Sequence, residues 1–294
     1  MDQLNSSNFT VFAERPLMLD AVNEPNRRFG VQSYGASKGS RFNWRYGAFN
    51  LVPIDEAGFI ATDNYQIELA GRMASTLCFN RSEAKYIHTG VSTSCGFPSP
   101  DVSKTTSRYR TRPETRSRRR WLNTDYIANS ESSQLVGSEL VLNYHKLQVG
   151  SEFINVWLQR AGDETLYFHG GYVYVSYFLT GEFIRWNRQM GISGRIEPKC
   201  DFIRANKRSA QRGWGAWQLA FRASYADLVD SDILGGEGRS ATLALNWYWN
   251  SHTRFQFNYV VGDIQQRAQD DGMGGMNILS GDYQITGARL MIDY

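Results

Sequence analysis

Residues 216–226 read Ala-Trp-Gln-Leu-Ala-Phe-Arg-Ala-Ser-Tyr-Ala. Trp217, Leu219, Phe221, Ala223 and Tyr225 occupy the odd positions, while Gln218, Ala220, Arg222 and Ser224 occupy the even ones. Successive side chains of an extended chain point to opposite faces, so this stretch predicts a strand with one apolar and one polar face. The same period continues downstream. Leu243, Leu245, Trp247 and Trp249 alternate with Thr242, Ala244, Asn246 and Tyr248, and Phe255, Phe257, Tyr259 and Val261 alternate with Arg254, Gln256 and Asn258. The intervening Asn250-Ser251-His252 reads as a tight polar turn, which makes the pair a hairpin.

Upstream segments repeat the pattern at 27–36, 42–48, 65–77, 85–96, 106–112, 137–146, 147–158 and 166–179, which with the last strand gives about twelve strands. Segments 52–63, 182–211 and 264–280 lack alternation and read as long connections, whereas 37–40, 80–84 and 250–252 read as tight turns. No stretch approaches the roughly 18 to 20 apolar residues of a membrane-spanning helix. Composition agrees with a wall that is oily outside and wet inside: 14% of the 294 residues are aromatic, yet the mean hydropathy is −0.46. The expected fold is therefore all-β, an antiparallel transmembrane β-barrel in a single domain.

A soluble β-sandwich also alternates. Aromatics near the ends of the apolar faces (Trp217, Tyr225, Trp247, Trp249, Tyr259) and strands of roughly 9 to 12 residues favour the barrel. The chain ends on Tyr294, with Ile292, Leu290 and Ala288 on its face and Asp293, Met291 and Arg289 on the other. That ending looks like the signal recognised by the barrel assembly machinery. Met1–Thr10 shows no basic stretch followed by an apolar core, so no secretory signal is read there.

Several segments resemble the phosphate-selective porins O and P. The most specific is 172–182 (YVYVSYFLTGE), with Leu179-Thr180-Gly181-Glu182 at its centre. Leu4–Ser7 with Thr10–Pro16, then Gly30-Val31-Gln32, Trp214–Asp232, Gly235-Gly236-Glu237 and Leu245–Tyr248 add to it. The resemblance implies an outer-membrane homotrimer of sixteen-stranded barrels passing phosphate or other small anions. Residues 4–16 are similar to a segment lying well inside the family's barrel. The resemblance therefore implies a domain lacking its N-terminal part, with 1–26 folding inward as a loop.

Seven arginines fall between Arg108 and Arg120, with Glu114 the only acid among them. In an extended segment Arg108, Arg110 and Arg112 form a row about 6 to 7 Å apart. Guanidinium groups stay charged and their forked donors match phosphate oxygens. The row is similar to the arginine ladder of the family's phosphate-specific members, with Arg116 a further rung. Arg-rich strand ends are equally what a solvated face or a contact to anionic lipid looks like, and Arg118, Arg119 and Arg120 read as such a cluster. Arg72 and Arg222 sit on polar strand faces and are the other candidate lumen arginines. A basic loop of Arg204, Lys207, Arg208 and Arg212 could gather anions at the mouth.

Nothing suggests catalysis. His88, His145, His169 and His252 are scattered, and Cys78, Cys95 and Cys200 show no metal-ligand spacing, so neither metal nor cofactor is expected. Gly235-Gly236 is followed by Glu237 and reads as a turn, not a phosphate cradle. Nucleic-acid binding by the arginine run is disfavoured, because that run is isolated in an amphipathic β pattern and the net charge is only +3.

Overall fold

A computed structural model describes residues 4, 8–23, 28–53, 66–80, 82, 84–98, 107–117, 119–203, 213–270 and 276–293. Its main body is one eleven-stranded antiparallel sheet. In chain order its strands are β1 (Arg28–Ala36), β2 (Phe42–Pro53), β3 (Ile67–Asn80), β4 (Lys85–Phe97), β7 (Ser130–Tyr144), β8 (Leu147–Arg160), β9 (Leu166–Phe178), β12 (Ala216–Asp230), β13 (Ile233–Tyr248), β14 (Thr253–Asp270) and β15 (Met276–Ile292). Each pairs with the next, as an up-and-down meander. Two small hairpins stand apart: β5 (Arg110–Thr111) with β6 (Leu122–Asn123), and β10 (Trp186–Asn187) with β11 (Ile192–Ser193). A five-residue helix, α1 (Leu17–Ala21), is the only helix among the described residues. Among the described residues no helix is long and apolar enough to cross a membrane.

The faces of the wall are reversed relative to a soluble sheet. On β12 the polar side chains are the buried ones, with Gln218 at 0% and Arg222 at 2% exposure, while Leu219 and Phe221 are 43% and 46% exposed. Thr242, Asn246 and Gln256 on β13 and β14 are likewise buried, and Leu243 and Phe257 exposed. A sandwich would bury the opposite face. Only a wall with an apolar medium outside makes this arrangement favourable.

The outward side chains of β12 from Trp217 to Tyr225 carry no charge, and the first acid beyond them is Asp227. Eight residue steps rise about 26 Å along a strand, and a barrel-like tilt of about 40° leaves about 20 Å of height, most of an apolar band roughly 25 Å tall. Aromatics mark both borders. At one, Trp217 stacks on Trp247 with centroids 5.0 Å apart, and Trp249 and Phe202 join them. At the other, Trp157, Tyr167, His169 and Tyr225 pack in a row. Tyr259, expected with the border aromatics, lies mid-strand between them and donates to Gln284.

Some expectations are corrected. The described residues hold fifteen strands in place of about twelve: eleven wall strands and four two-residue strands. Segment 106–112 is not a wall strand; only Arg110–Thr111 is strand, in the hairpin with Leu122–Asn123. Its alternation reflects Thr111, buried with its hydroxyl on Asp20, between half-buried Arg110 and Arg112.

Segment 264–280 is mostly strand as well. A register shift between Ile264 and Arg267, with Gln266 at φ 53°, breaks the period and hides both strands from a pattern search. Gly235-Gly236 is not a turn but part of β13. A Cβ on Gly235 would lie 2.8 Å from Thr124, and one on Gly238 2.8 Å from Leu122, so these glycines make room for the β5–β6 hairpin pressed against the wall.

Long and short connections do not segregate to opposite rims. Connection 98–129 leaves the rim that carries turns 161–165 and 231–232, whereas 179–215 leaves the rim carrying 145–146 and 249–252. At the former rim the Arg160 guanidinium bridges both oxygens of Asp232 and holds that carboxyl below its usual range. Strands β1 and β15 each pair on one side only, so the described sheet has two edges. Tyr294 and the basic loop of Arg204, Lys207, Arg208 and Arg212 lie outside the described residues.

Candidate functional site: the polar interior

Three segments occupy the concave, polar side of the wall, and each is held by wall side chains. The first, residues 8–23, runs across β12–β14. Its backbone carbonyls accept from the wall: Thr10 from Arg254 at 2.8 Å, Val11 from Asn246 at 2.8 Å and Gln256 at 3.1 Å, Glu14 from Arg222 at 3.0 Å. An irregular segment cannot satisfy its own carbonyls, so the polar wall face supplies the donors. Phe12 then packs among Tyr172, Tyr174, Ala220 and Ala244, and α1 buries Leu17, Met18 and Leu19 against β9 and β12.

The second is the β5–β6 hairpin, whose Leu122 is buried with α1 and Leu228. Its tip carries Glu114 at φ 50°. Glu114 Oε2 accepts from Arg222 Nη2 and from Thr242 Oγ1, each at 2.6 Å, and Arg222 also lies over the Phe12 ring at 4.3 Å. The third is the β10–β11 hairpin. Trp186 stacks on Tyr86 at 5.3 Å, and Tyr86 donates to the Ile184 carbonyl at 2.8 Å.

The candidate arginines therefore divide. Arg72 and Arg222 do face the interior, but both are buried in ion pairs. Arg72 pairs with Glu139 and also meets Asn43, His88 and the Gly191 carbonyl; Arg222 pairs with Glu114. They hold the inward segments in place.

In the row, Arg108 donates to Asn123 at 2.9 Å and Asp125 at 3.4 Å and lies over Tyr126. Arg110 is on β5, facing away from buried Thr111. Arg112 is half-buried, its backbone N–H bonded to Asp20. Arg116 is exposed and pairs with Glu14 at 3.2 Å. Neighbouring Tyr109 is half-buried, and its desolvation pushes the phenol up to about 12. Among the described residues no cluster of His, Cys, Asp or Glu could hold a metal.

The inward segments leave a cavity of about 860 Å³ between themselves and β1–β4, β7 and β8. Four guanidiniums line it, Arg15, Arg28, Arg45 and Arg72, against three carboxylates, Glu68, Glu139 and Glu152. Arg28 pairs with Glu68 and Arg72 with Glu139. Arg15 and Arg45 have no carboxylate partner among the described residues. Arg45 donates to the Met190 carbonyl at 3.2 Å. Sequence reading passed over Arg15, Arg28 and Arg45. For Arg45 a signal existed, since it alternates with Phe42, Trp44 and Tyr46 and so had to face inward. A second hollow, of about 920 Å³, lies among the outward Leu140, Phe153, Val173 and Tyr225; Glu139 and Glu152 border both, but none of the four cavity arginines does.

A membrane-type β-wall with an arginine-lined inner face and inward-folded connections is the architecture of porin-type proteins. The sequence matches the family of phosphate-selective porins O and P over residues 1–294, and the chain belongs to that family. It is a family of channels, not of enzymes, and it points with the β-rich fold to the bacterial outer membrane. The chain is also 31% identical over 131 residues to an uncharacterized protein of Caulobacter vibrioides. That match covers 43% of this chain and 23% of the relative, so the chain spans well under two thirds of that protein's length.

Proposed function

We propose that this chain forms the greater part of an outer-membrane pore through which anions, phosphate or related oxyanions, pass by diffusion. The observation that carries the proposal is the 860 Å³ cavity with Arg15 and Arg45 lacking carboxylate partners. Low-dielectric walls around such charges raise the local concentration of anions. Guanidinium forks bind oxyanions while leaving room for exit when several sites share the load. Arg108, Arg110, Arg112 and Arg116 form a second set on the β5–β6 hairpin. Within this set Arg110 lies on β5 beside half-buried Arg112, and these two are proposed as the ladder's working rungs.

Closure of the ring takes strands beyond the eleven, added at the open edges of β1 and β15. The domain is read as one barrel, 1–294 being its larger part, with 1–26 as an inward loop. Assembly through the terminal strand that ends at Tyr294, contact with outer-membrane lipid and a homotrimer complete the reading, in line with the family. The test is planar-bilayer recording of the full chain. Anion-selective conductance is expected, with chloride current blocked by phosphate, and Arg45→Gln and Arg110→Ala both weaken that block. Cation selectivity would sink the reading. No conductance at all would favour a structural protein or a wall that forms no pore by itself, and selectivity without phosphate block would favour another solute.

A further inference from the structure

The β10–β11 hairpin meets the wall through its turn, residues 188–191, where Gly191 has φ 62°. Three wall side chains capture its carbonyls. Asn43 donates to Arg188 O at 3.3 Å, Arg45 to Met190 O at 3.2 Å and Arg72 to Gly191 O at 3.1 Å. A Cβ on Gly191 would come within 3.0 Å of Asn43 and Arg72, so the turn sits directly on these groups. Arg45 and Arg72 are also cavity arginines.

The two differ in how firmly they are committed. Arg72 is locked by Glu139, whereas Arg45 donates to a neutral carbonyl. An oxyanion adds ion–ion attraction that a neutral carbonyl lacks, and it can take two guanidinium N–H groups at once. An oxyanion that takes the guanidinium edge containing Nη2 therefore competes with the Met190 carbonyl for that donor.

We propose that Arg45 is an oxyanion contact whose occupation releases the 186–193 hairpin from β2 and β3. The hairpin is then a plug displaced by the anions that pass it. This rests on the proposed anion path, and it adds that path width responds to the anion. Coupling of this kind is reciprocal: what loosens the hairpin also strengthens anion binding.

The test is hydrogen exchange on the backbone amides of 186–193 in the full chain, in phosphate and in chloride at equal ionic strength. Exchange in phosphate is expected to rise roughly fivefold or more, the lower end of ordinary coupling. In Arg45→Gln it is expected to be raised already in chloride, with no further response to phosphate, and Arg45→Lys should recover part of the response. Unchanged or slowed exchange of the wild-type hairpin in phosphate overturns the proposal, whatever the variants do. Exchange that responds in a chain without anion conductance would overturn the pore and leave the coupling standing. Anion conductance with an unresponsive hairpin would do the reverse.

Discussion

Arg222 shows what an alternating pattern can and cannot disclose. Its place between Phe221 and Ala223 settles that it faces inward, and it does. Its partner, Glu114, lies 108 residues away on an inner hairpin and no local pattern announces it. The guanidinium is buried against one carboxylate, so it anchors the hairpin. Removing one member of a buried pair leaves a bare charge, at a cost of about 3–5 kcal/mol. Arg222→Ala is accordingly expected to lower unfolding stability of the folded chain by that order, and Arg222→Met combined with Glu114→Leu by much less. Denaturant titration of the two variants checks this; equal losses would show that packing, not the stranded charge, sets the cost. Arg45 is the opposite case, facing the cavity with a carbonyl for its acceptor. Hydrogen bonds to charged groups contribute about 1.5–3 kcal/mol, so Arg45→Gln should weaken phosphate block roughly tenfold or more.

Elements were legible where the period of two is unbroken and obscure where packing between segments overrides it. Strands β7–β9, β12 and the middle of β13 and β14 could be read directly. The bulge at Ile264–Arg267 and the glycines of 235–238 could not, because both answer to neighbours distant in sequence. The β5–β6 hairpin looked like wall because its short strands alternate too. Its true anchor is Leu122, buried with α1 and facing the glycines of β13. Leu122→Ala should cost about 2–5 kcal/mol and increase protease access to 107–127. Cleavage at the wild-type rate would show that the hairpin is held by Glu114 alone.

A second tie joins elements at the other rim. Asp293 accepts from Arg195 at 2.8 Å and Asn8 at 3.2 Å, linking the end of β15 to two inner segments. Partial burial pushes the Asp293 carboxyl up, but Arg195 and His252 outweigh it and hold it below its ordinary value. A depressed carboxylate stabilises above its unfolded value near 3.8 and loses that contribution as pH falls through its lower folded value. Protection of amides near residues 195 and 252, corrected for the intrinsic exchange rate at each pH, should therefore be steady from neutral pH to about 4 and fall only below it. Protection lost well above about pH 4 would show that the Asp293 carboxylate does not set the tie.

At the scale of the molecule, the inversion of burial makes the case. Polar groups such as Gln218, Thr242 and Gln256 are sealed beneath inward segments, while Leu219, Leu243 and Phe257 face out over most of a band of bilayer height. That inversion was legible only as alternation, since a sequence does not say which face is wet. Which connections fold inward was legible only in part, through the resemblance of residues 4–16. The interior they leave is narrow, off-centre towards β1–β4, and richer in guanidinium than in carboxylate. The account stands or falls on what crosses it. Reversal potential across a salt gradient, recorded with the full chain in a planar bilayer, measures that most directly. A potential of the sign for anion selectivity, moved toward neutrality by Arg45→Gln, is the expected result; a cation-selective potential, or one indifferent to that substitution, would contradict it.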